Sequence, residues 1–343
     1  MGELTATSIE SSTHLAADPD PPSQETRAEL SRELSNSNTT AESNDGARPP
    51  RVIALMNQKG GVGKTTTTVN LGAALAAGGQ RVLLVDLDPQ AHLTLHLGLE
   101  AAQIESSIYD LMVNDDVPVE QVITRINDGL AVLPAHVNLA GIEAELAPKM
   151  ITGRAQRILQ EKCRELSRKS EGNDSPSVAH HDTETADRQA LDLRPSTFDY
   201  ILIDCPPSLG LLTVNALTFA TEVIVPMQAQ FLALQGLSQL LETVKLIQAS
   251  FNPGLIVSGV VLCMHERQTI LASEVMADLQ AFLDAARDQA VPWRNAQILA
   301  PMIRRNIKLA ECPSFGATVF DYAPQSHGAA DYRALAASVT TMA

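Results

Sequence analysis

The stretch RVIALMNQKGGVGKTT, residues 51–66, decides the fold. After Arg51 its first residues are apolar, which is typical of a buried strand. The glycines that follow, Gly60, Gly61 and Gly63, allow the backbone to curl so that successive N–H groups face one point. A helical pattern begins near Lys64, and its N-terminus brings a partial positive charge to the same point. The stretch therefore predicts a strand, a phosphate-binding loop and a helix, in that order.

The polar side chains of this loop each have a predicted role. Lys64 is expected to reach the β- and γ-phosphates of a nucleotide, and the Thr65 hydroxyl is expected to ligate Mg²⁺. The standard pattern requires a glycine at position 58, where this chain has Gln58, and a second lysine, Lys59, follows it. The loop is therefore the deviant form of the pattern, and its predicted nucleotide-binding set is Lys59, Gly60, Gly61, Val62, Gly63, Lys64, Thr65 and Thr66.

Two carboxylates stand at the end of the second predicted strand, in VLLVDLDPQ, residues 82–90. Asp86 and Asp88 are two residues apart, so on an extended segment their side chains point to the same side. Phosphoryl transfer needs a group that orients or deprotonates the attacking water. We therefore predict that Asp88 is this group and lies near the metal, and that Asp86 supports the site.

A third acidic residue ends the apolar strand in FDYILIDCPP, residues 198–207. This pattern predicts that Asp204 holds Mg²⁺, through a water molecule. Pro206 and Pro207 remove backbone donors and stiffen the turn that follows, which is expected near the γ-phosphate. Cys205 is predicted to be a small buried residue, since no histidine stands in a recognisable pairing context.

Apolar strands and helical patterns alternate along the rest of the chain. This alternation predicts an α/β fold with a mostly parallel twisted sheet and helices on both faces. Ligands of such sheets bind at the carboxyl ends of the strands, where the motifs above fall. The predicted strands are Arg51–Met56, Arg81–Asp86, Leu130–Pro134, Tyr200–Asp204, Glu222–Pro226, Ile256–Met264 and Gln297–Met302. The predicted helices lie near Lys64–Ala77, Leu139–Ala147, Gly153–Ser167, Leu211–Phe219, Ala233–Ser250, Ser273–Gln289 and Ala329–Met342.

Charge is distributed unevenly over the 343 residues, which carry a formal net charge of -15. Residues 1–50 and 167–195 are polar and together hold more than half of that charge. We predict a disordered acidic tail over 1–50 and a polar surface insertion at about 167–195. The core at 51–343 is therefore only mildly acidic, and contact with DNA would require a local basic patch.

Composition excludes several classes of protein. The four cysteines are scattered and include no CxxC pair, which argues against a disulfide scaffold or a zinc knuckle. No apolar run reaches the length of a membrane span, and no signal peptide is visible. A cytoplasmic protein with no membrane contact is expected.

Six segments resemble the ParA/Soj family of partition ATPases, and the resemblance runs from about Arg51 to the C-terminus apart from the insertion. The segments are KGGVGKTT (59–66), VDLDPQ (85–90), LPAHVNLAGIE (133–143), DCPPSLGLLTVNA (204–216), LQGLSQLLET (234–243) and RRNIKLAECPSFG (304–316). The chain departs from the family in places: Ala91, His92 and Leu93 stand for Gly-Asn-Ala, and Lys308 stands for an arginine.

The resemblance implies a P-loop NTPase of the deviant Walker A type that hydrolyses ATP with Mg²⁺. It implies a homodimer that sandwiches two ATP molecules, with Lys59 crossing to the partner's nucleotide. It also implies nucleoid association, non-specific DNA binding by the dimer, and release when a ParB-type centromere-binding protein stimulates hydrolysis. Pro206 and Met264 join the nucleotide-binding set, and the DNA-binding residues map onto Arg304, Arg305, Lys308 and Arg267.

Three other functions compete with this interpretation. The first is a MinD-like membrane switch or another cargo-positioning ATPase, which would dock on a surface other than DNA. Docking on a membrane would require a basic amphipathic helix at the C-terminus. The last residues, 331–343, instead predict a helix packed on the core. A metal-insertion ATPase would need paired cysteines, and a scaffold that only binds ATP would not need Asp88.

Overall fold

The strands of the central sheet alternate between two apolar layers. In the computed structural model, Val52 and Ala54 pack into one core and Ile53 and Leu55 into the other. They enter different cores because successive side chains of a strand point to opposite faces, and both sets are buried. A strand that is apolar on both faces needs helices above and below it, and the two cores show that both layers are present.

The structure describes residues 49–100, 104–164, 198–230, 233–266 and 270–342. Of the predicted acidic tail, only its last two residues are described, and the predicted insertion at 167–195 lies outside the described residues.

The sheet has eight strands in the order β3-β4-β2-β5-β1-β6-β7-β8. All neighbouring strands are parallel except β3 and β4, which pair antiparallel at one edge. The predicted, mostly parallel α/β sheet is therefore confirmed. The strands are β1 (Arg51–Leu55), β2 (Val82–Asp86), β3 (Thr124–Arg125), β4 (Leu130–Leu133), β5 (Tyr200–Asp204), β6 (Glu222–Met227), β7 (Ile256–Leu262) and β8 (Gln297–Ile298).

Helices of very different length connect the strands. The longer ones agree with the sequence pattern, whereas several single-turn helices were not predicted. In the described part of the chain they are α1 (Lys64–Ala77), α2 (His92–His96), α3 (Ile108–Val113), α4 (Val119–Val122), α5 (Ile142–Met150), α6 (Ile158–Lys162), α7 (Leu211–Phe219), α8 (Ala233–Ser250), α9 (Ile270–Ala285), α10 (Ile307–Glu311), α11 (Val319–Tyr322) and α12 (His327–Thr341).

The C-terminal helix α12 packs on the core, as its sequence predicts. Tyr332, Leu335 and Val339 are almost wholly buried in the same core as α1. The Tyr332 hydroxyl lies 3.1 Å from the Thr67 hydroxyl of α1. The end of the chain thus stabilises the helix that follows the phosphate-binding loop.

Among the residues that the structure describes, no helix combines the length and the apolarity that a bilayer-spanning segment needs.

Candidate functional site

The loop between β1 and α1 has the shape that its glycines predict. Gly61 and Gly63 have φ angles of 71° and 96°, which other residues rarely adopt. Gly63 is the N-cap of α1, and a Cβ there would only touch Cys263 at 3.4 Å, so the φ angle rather than a lack of space favours glycine. Asn57 fixes the loop from below, because its Oδ1 accepts from the Lys59 N–H at 3.0 Å and its Nδ2 donates to the Pro226 carbonyl at 2.8 Å.

This loop forms one wall of a cavity of about 630 Å³, the phosphate cavity. Lys64 is 8% exposed and lies on the wall of this cavity. The sequence predicts nine nucleotide-binding residues in the loop and in the turn at Pro206. Six of them line the cavity, whereas Lys59, Val62 and Pro206 do not. Pro207, which is not in the predicted set, also lines it. Its lining residues are Gly60, Gly61, Gly63, Lys64, Thr65, Thr66, Asp88, Gln90, His92, Leu95, His96, Pro207, Met264 and Pro313.

Two oxygen ligands predicted for Mg²⁺ are adjacent: Thr65 lines this cavity, and Asp204, which is not on its wall, contacts Thr65. The Thr65 hydroxyl donates to Asp204 Oδ2 at 2.6 Å, and the Thr68 hydroxyl lies 3.3 Å from Oδ1. Asp204 is wholly buried at the carboxyl end of β5. Burial, together with the neighbouring charge of Asp86, raises the pKa of Asp204 to about 8. A bound cation would favour the charged form of this carboxylate, so its ligand chemistry fits Mg²⁺.

The structure separates the two carboxylates of the second motif. β2 ends at Asp86, so Asp88 stands in a turn and strand alternation does not govern its direction. Asp88 lines the phosphate cavity, and its Oδ1 accepts from the Gln90 N–H at 3.0 Å. Asp86 lies beneath, where it accepts from the Thr94 N–H at 2.9 Å and the Thr94 hydroxyl at 2.7 Å. Burial raises the pKa of Asp86 to about 6.

The Lys59 side chain contacts the segment that follows β6. Its Nζ donates to Gln230 Oε1 at 2.5 Å, and Gln230 in turn donates to Gln228. The Gln228 amide donates to the Gly61 carbonyl at 2.9 Å and contacts Met264 Sδ at 3.0 Å. These two glutamines are not among the residues that the sequence predicts for the site.

A second, apolar cavity of about 450 Å³ adjoins the first one, and we call it the apolar cavity. Gly63, Thr66 and Met264 line both cavities. The rest of its wall comes from Cys263, residues 303–307, which include Arg304 and Arg305, and Leu309, Ala310 and Tyr332. Met264, predicted as a nucleotide-binding residue, therefore stands where the two cavities meet.

The four cysteines are free and buried. Burial raises the pKa of the Cys205 thiol far above its usual range, in agreement with a structural role. Cys312 has a histidine partner that the sequence did not reveal, because His96 Nε2 lies 3.5 Å from its Sγ. The pair could not be predicted from the sequence, because the two residues are 216 positions apart in the chain.

The predicted DNA-binding residues differ in their surroundings. Arg304 forms a double hydrogen bond with the buried Asp331, with Nη2 2.6 Å from Oδ1. Arg305 is 69% exposed and pairs with Glu266, and Lys308 pairs with Glu311. The pKa of Lys308 is raised, chiefly by its hydrogen bond to Glu311. Arg267 lies outside the described residues.

Comparisons with known proteins agree with this geometry. Residues 50–170 and 177–257 match the family described as "AAA domain". The chain is 40% identical to the sporulation initiation inhibitor protein Soj of Bacillus subtilis over 84% of its own length and 98% of that protein. It is 38% identical to the chromosome partitioning protein ParA of Caulobacter vibrioides over 85% of its own length and 95% of that protein.

Solved structures show the same fold. The chain has 33% identity and a TM-score of 0.65 to a Mycobacterium smegmatis structure described as cobyrinic acid a,c-diamide synthase with bound ATP analog and magnesium, covering 85% of this chain and 94% of that one. It has 25% identity and a TM-score of 0.60 to the cell division ATPase MinD of Pyrococcus furiosus, covering 85% and 99%. The site geometry and these similarities show that the chain belongs to the Soj/ParA family of chromosome-partitioning ATPases.

Proposed function

We propose that this chain is a Mg²⁺-dependent ATPase that partitions DNA by cycling on and off it. In the ATP-bound state it forms a dimer that binds DNA without sequence preference. Hydrolysis, stimulated by a ParB-type centromere-binding partner, then releases the dimer. The chain is accordingly expected to be cytoplasmic and associated with the nucleoid.

The observation that carries the nucleotide half of this proposal is the pair of adjoining cavities. A nucleotide has a charged phosphate chain and a flat, mostly apolar base, so it needs a polar and an apolar compartment side by side. The phosphate cavity offers backbone N–H groups, Lys64 and a helix N-terminus. The apolar cavity offers Met264, Ile303 and Leu309 to the base.

Thr65 and Asp204 would hold Mg²⁺, which supplies charge neutralisation at the phosphates. The protein supplies the other groups. Lys64 binds the phosphate oxygens, where a buried ammonium acts in a low-dielectric site. Asp88 orients or deprotonates the attacking water from the cavity wall, and Asp86 supports it by holding Thr94 at the start of α2.

Lys59 is proposed to act on the nucleotide of a second copy. It is exposed and bonded to Gln230, away from its own phosphate cavity. A phosphate carries the charge opposite to that of the lysine and is a stronger acceptor than the neutral Gln230 amide, so Lys59 can exchange this amide for a phosphate of the partner subunit's nucleotide. This trans contact would couple ATP binding to dimerisation.

The DNA contacts are proposed at Arg305 and Lys308. Both are exposed at their tips, and surface ion pairs such as theirs contribute about 0–1 kcal/mol, so phosphates can replace Glu266 and Glu311. Arg304 is less available because its guanidinium is held by Asp331. Two cations per subunit give a small patch that dimerisation doubles, and such binding is strongly salt-dependent.

A MinD-like switch on another surface is the second candidate function. It would need a free amphipathic helix to bind a membrane. The C-terminal helix α12 is instead buried along Tyr332, Leu335 and Val339, which supports DNA as the surface.

The nucleotide site is tested by Lys64→Ala, with Lys245→Ala as a matched control, since Lys245 is an exposed lysine on α8. The wild type and Lys245→Ala are expected to bind a fluorescent ATP analogue with Mg²⁺ and to release phosphate. Lys64→Ala is expected to lose at least about 100-fold in nucleotide affinity. Unchanged affinity in Lys64→Ala, or no phosphate release by the wild type, would contradict the proposal.

A further inference from the structure

The turn that carries Pro207 to the phosphate cavity is held by a residue from another part of the chain. After Pro207 come Ser208, Leu209 and Gly210, and then α7 begins at Leu211. Gly210 is the N-cap of α7 and supplies no side-chain acceptor for the first N–H groups of the helix. Those donors need a partner, because nothing within the helix can accept from them.

Glu143, on α5, supplies that partner. Its Oε1 accepts from the Leu211 N–H at 3.0 Å, across 68 residues of sequence. The approach is close, since a Cβ on Gly210 would lie 2.6 Å from the same oxygen. A carboxylate here also meets the positive end of the helix dipole. A larger residue at position 210 would therefore displace this carboxylate oxygen, and the present contact joins α5 to the start of α7.

The helix that carries Glu143 is packed firmly on the core, although the Glu143 side chain itself is exposed. Its neighbours Ile142 and Leu146 are 1% exposed and belong to the main core, so α5 cannot slide. The other end of the turn is secured by the Thr213 hydroxyl, which donates to the Ser208 carbonyl at 2.6 Å. Only Glu143 links the turn to a separate helix among these contacts.

We propose that Glu143 is a positioning residue for hydrolysis, which rests on the proposed ATPase function. By capping α7 it sets the position of the Pro206–Gly210 turn at the phosphate cavity, and the turn in its correct place completes the surroundings of the terminal phosphate. Glu143 itself does not touch the nucleotide. Because misplacement of a catalytic wall slows chemistry more than it weakens binding, its loss should change kcat rather than KM.

The test compares three variants in steady-state phosphate release. Glu143→Ala removes the acceptor, Glu143→Gln keeps an acceptor oxygen without the charge, and Glu145→Ala removes an exposed carboxylate from the same first turn of α5. We expect Glu143→Ala to lower kcat about tenfold with KM for ATP within about twofold. Glu143→Gln should recover most of kcat, and Glu145→Ala should match the wild type.

Amide hydrogen exchange supplies an independent readout. Exchange at Leu211 should be faster in Glu143→Ala than in the wild type, with the core strands unchanged. A kcat within twofold of the wild type in Glu143→Ala would overturn the inference. It would also be overturned if Glu143→Gln lost as much kcat and as much thermal stability as Glu143→Ala. A wild-type chain without ATPase activity would instead reject the proposed function, so the two failures are distinguishable.

Discussion

His96 is a buried histidine on the wall of the phosphate cavity. It is 2% exposed, it contacts Cys312, and burial lowers its pKa to about 4. Below the ordinary value of 6.5, the unfolded chain binds a proton that the folded chain does not bind until about pH 4. The free energy of unfolding therefore falls as the pH drops through this window.

We predict that His96 contributes a loss of about 2 kcal/mol in the free energy of unfolding between pH 7 and pH 5. Urea unfolding of the wild type and of His96→Gln at both pH values measures it. The wild type should lose more stability than the variant, whatever their difference at pH 7. Parallel declines in the two proteins would show that His96 is not held in its neutral form.

The paired aspartates show what single residues cannot reveal in sequence. The spacing of Asp86 and Asp88 predicts one shared direction, yet the strand ends between them and only Asp88 lines the cavity. The role of Asp86 in holding Thr94 depends on where α2 starts, and α2 is a five-residue helix with no clear pattern. The position of Asp204 could be predicted, because it is the last residue of a regular apolar strand and does not depend on a short helix.

At the scale of elements, α2 is joined to the segment after α10 by two glycines. Gly98 and Gly316 have φ angles of 76° and 60°, and a Cβ on Gly316 would lie 2.7 Å from the Gly98 Cα. This backbone contact and the His96–Cys312 pair connect the cavity wall to the segment that follows α10, the helix that carries Lys308. Neither glycine could be replaced without moving one of the two segments.

We predict that Gly316→Ala lowers the free energy of unfolding by about 3 kcal/mol, because it adds backbone strain to a steric clash. Gly153→Ala is the matched control, since Gly153 has a φ of 71° and open space around its Cβ position. The control should lose only about 1 kcal/mol. Denaturant unfolding measures both losses in the free energy of unfolding. Equal losses would show that the close Gly98–Gly316 contact does not contribute to stability.

Elements with a long, regular pattern were predictable, and short ones were not. β1, β2, β5 and β6 are apolar on both faces, so periodicity and flanking turns indicate them directly. β3 has two residues and pairs antiparallel at the edge, and only its neighbour β4 makes it a strand. The predicted strand Gln297–Met302 is reduced to Gln297–Ile298, since Pro301 cannot donate to a ladder.

At the scale of the whole molecule, long-range contacts complete the site. Glu143 on Leu211, Gln230 on Lys59 and Cys312 beside His96 each join segments far apart in the chain. Sequence motifs name the groups that meet the phosphates, but the residues that hold those groups in place depend on the assembled sheet. The acidic net charge of the chain is likewise a poor guide to the proposed DNA binding, which would depend on a small local patch.

ATP is proposed to switch DNA binding on, and retention of the protein on a DNA duplex measures this switch. A gel shift with random-sequence DNA compares ATP with ADP for the wild type and for two double variants. Arg305→Glu with Lys308→Glu reverses the proposed patch. Arg287→Glu with Lys245→Glu makes the same change in net charge at exposed residues elsewhere.

We expect the wild type and the control variant to bind DNA with ATP but not with ADP, and to bind it less tightly as the salt concentration is raised. The patch variant should lose at least about tenfold in DNA affinity, and Lys308→Glu alone, which leaves the wall of the apolar cavity intact, should lose affinity while still hydrolysing ATP. Equal DNA binding in ATP and ADP, or undiminished binding by Arg305→Glu with Lys308→Glu, would contradict the claim.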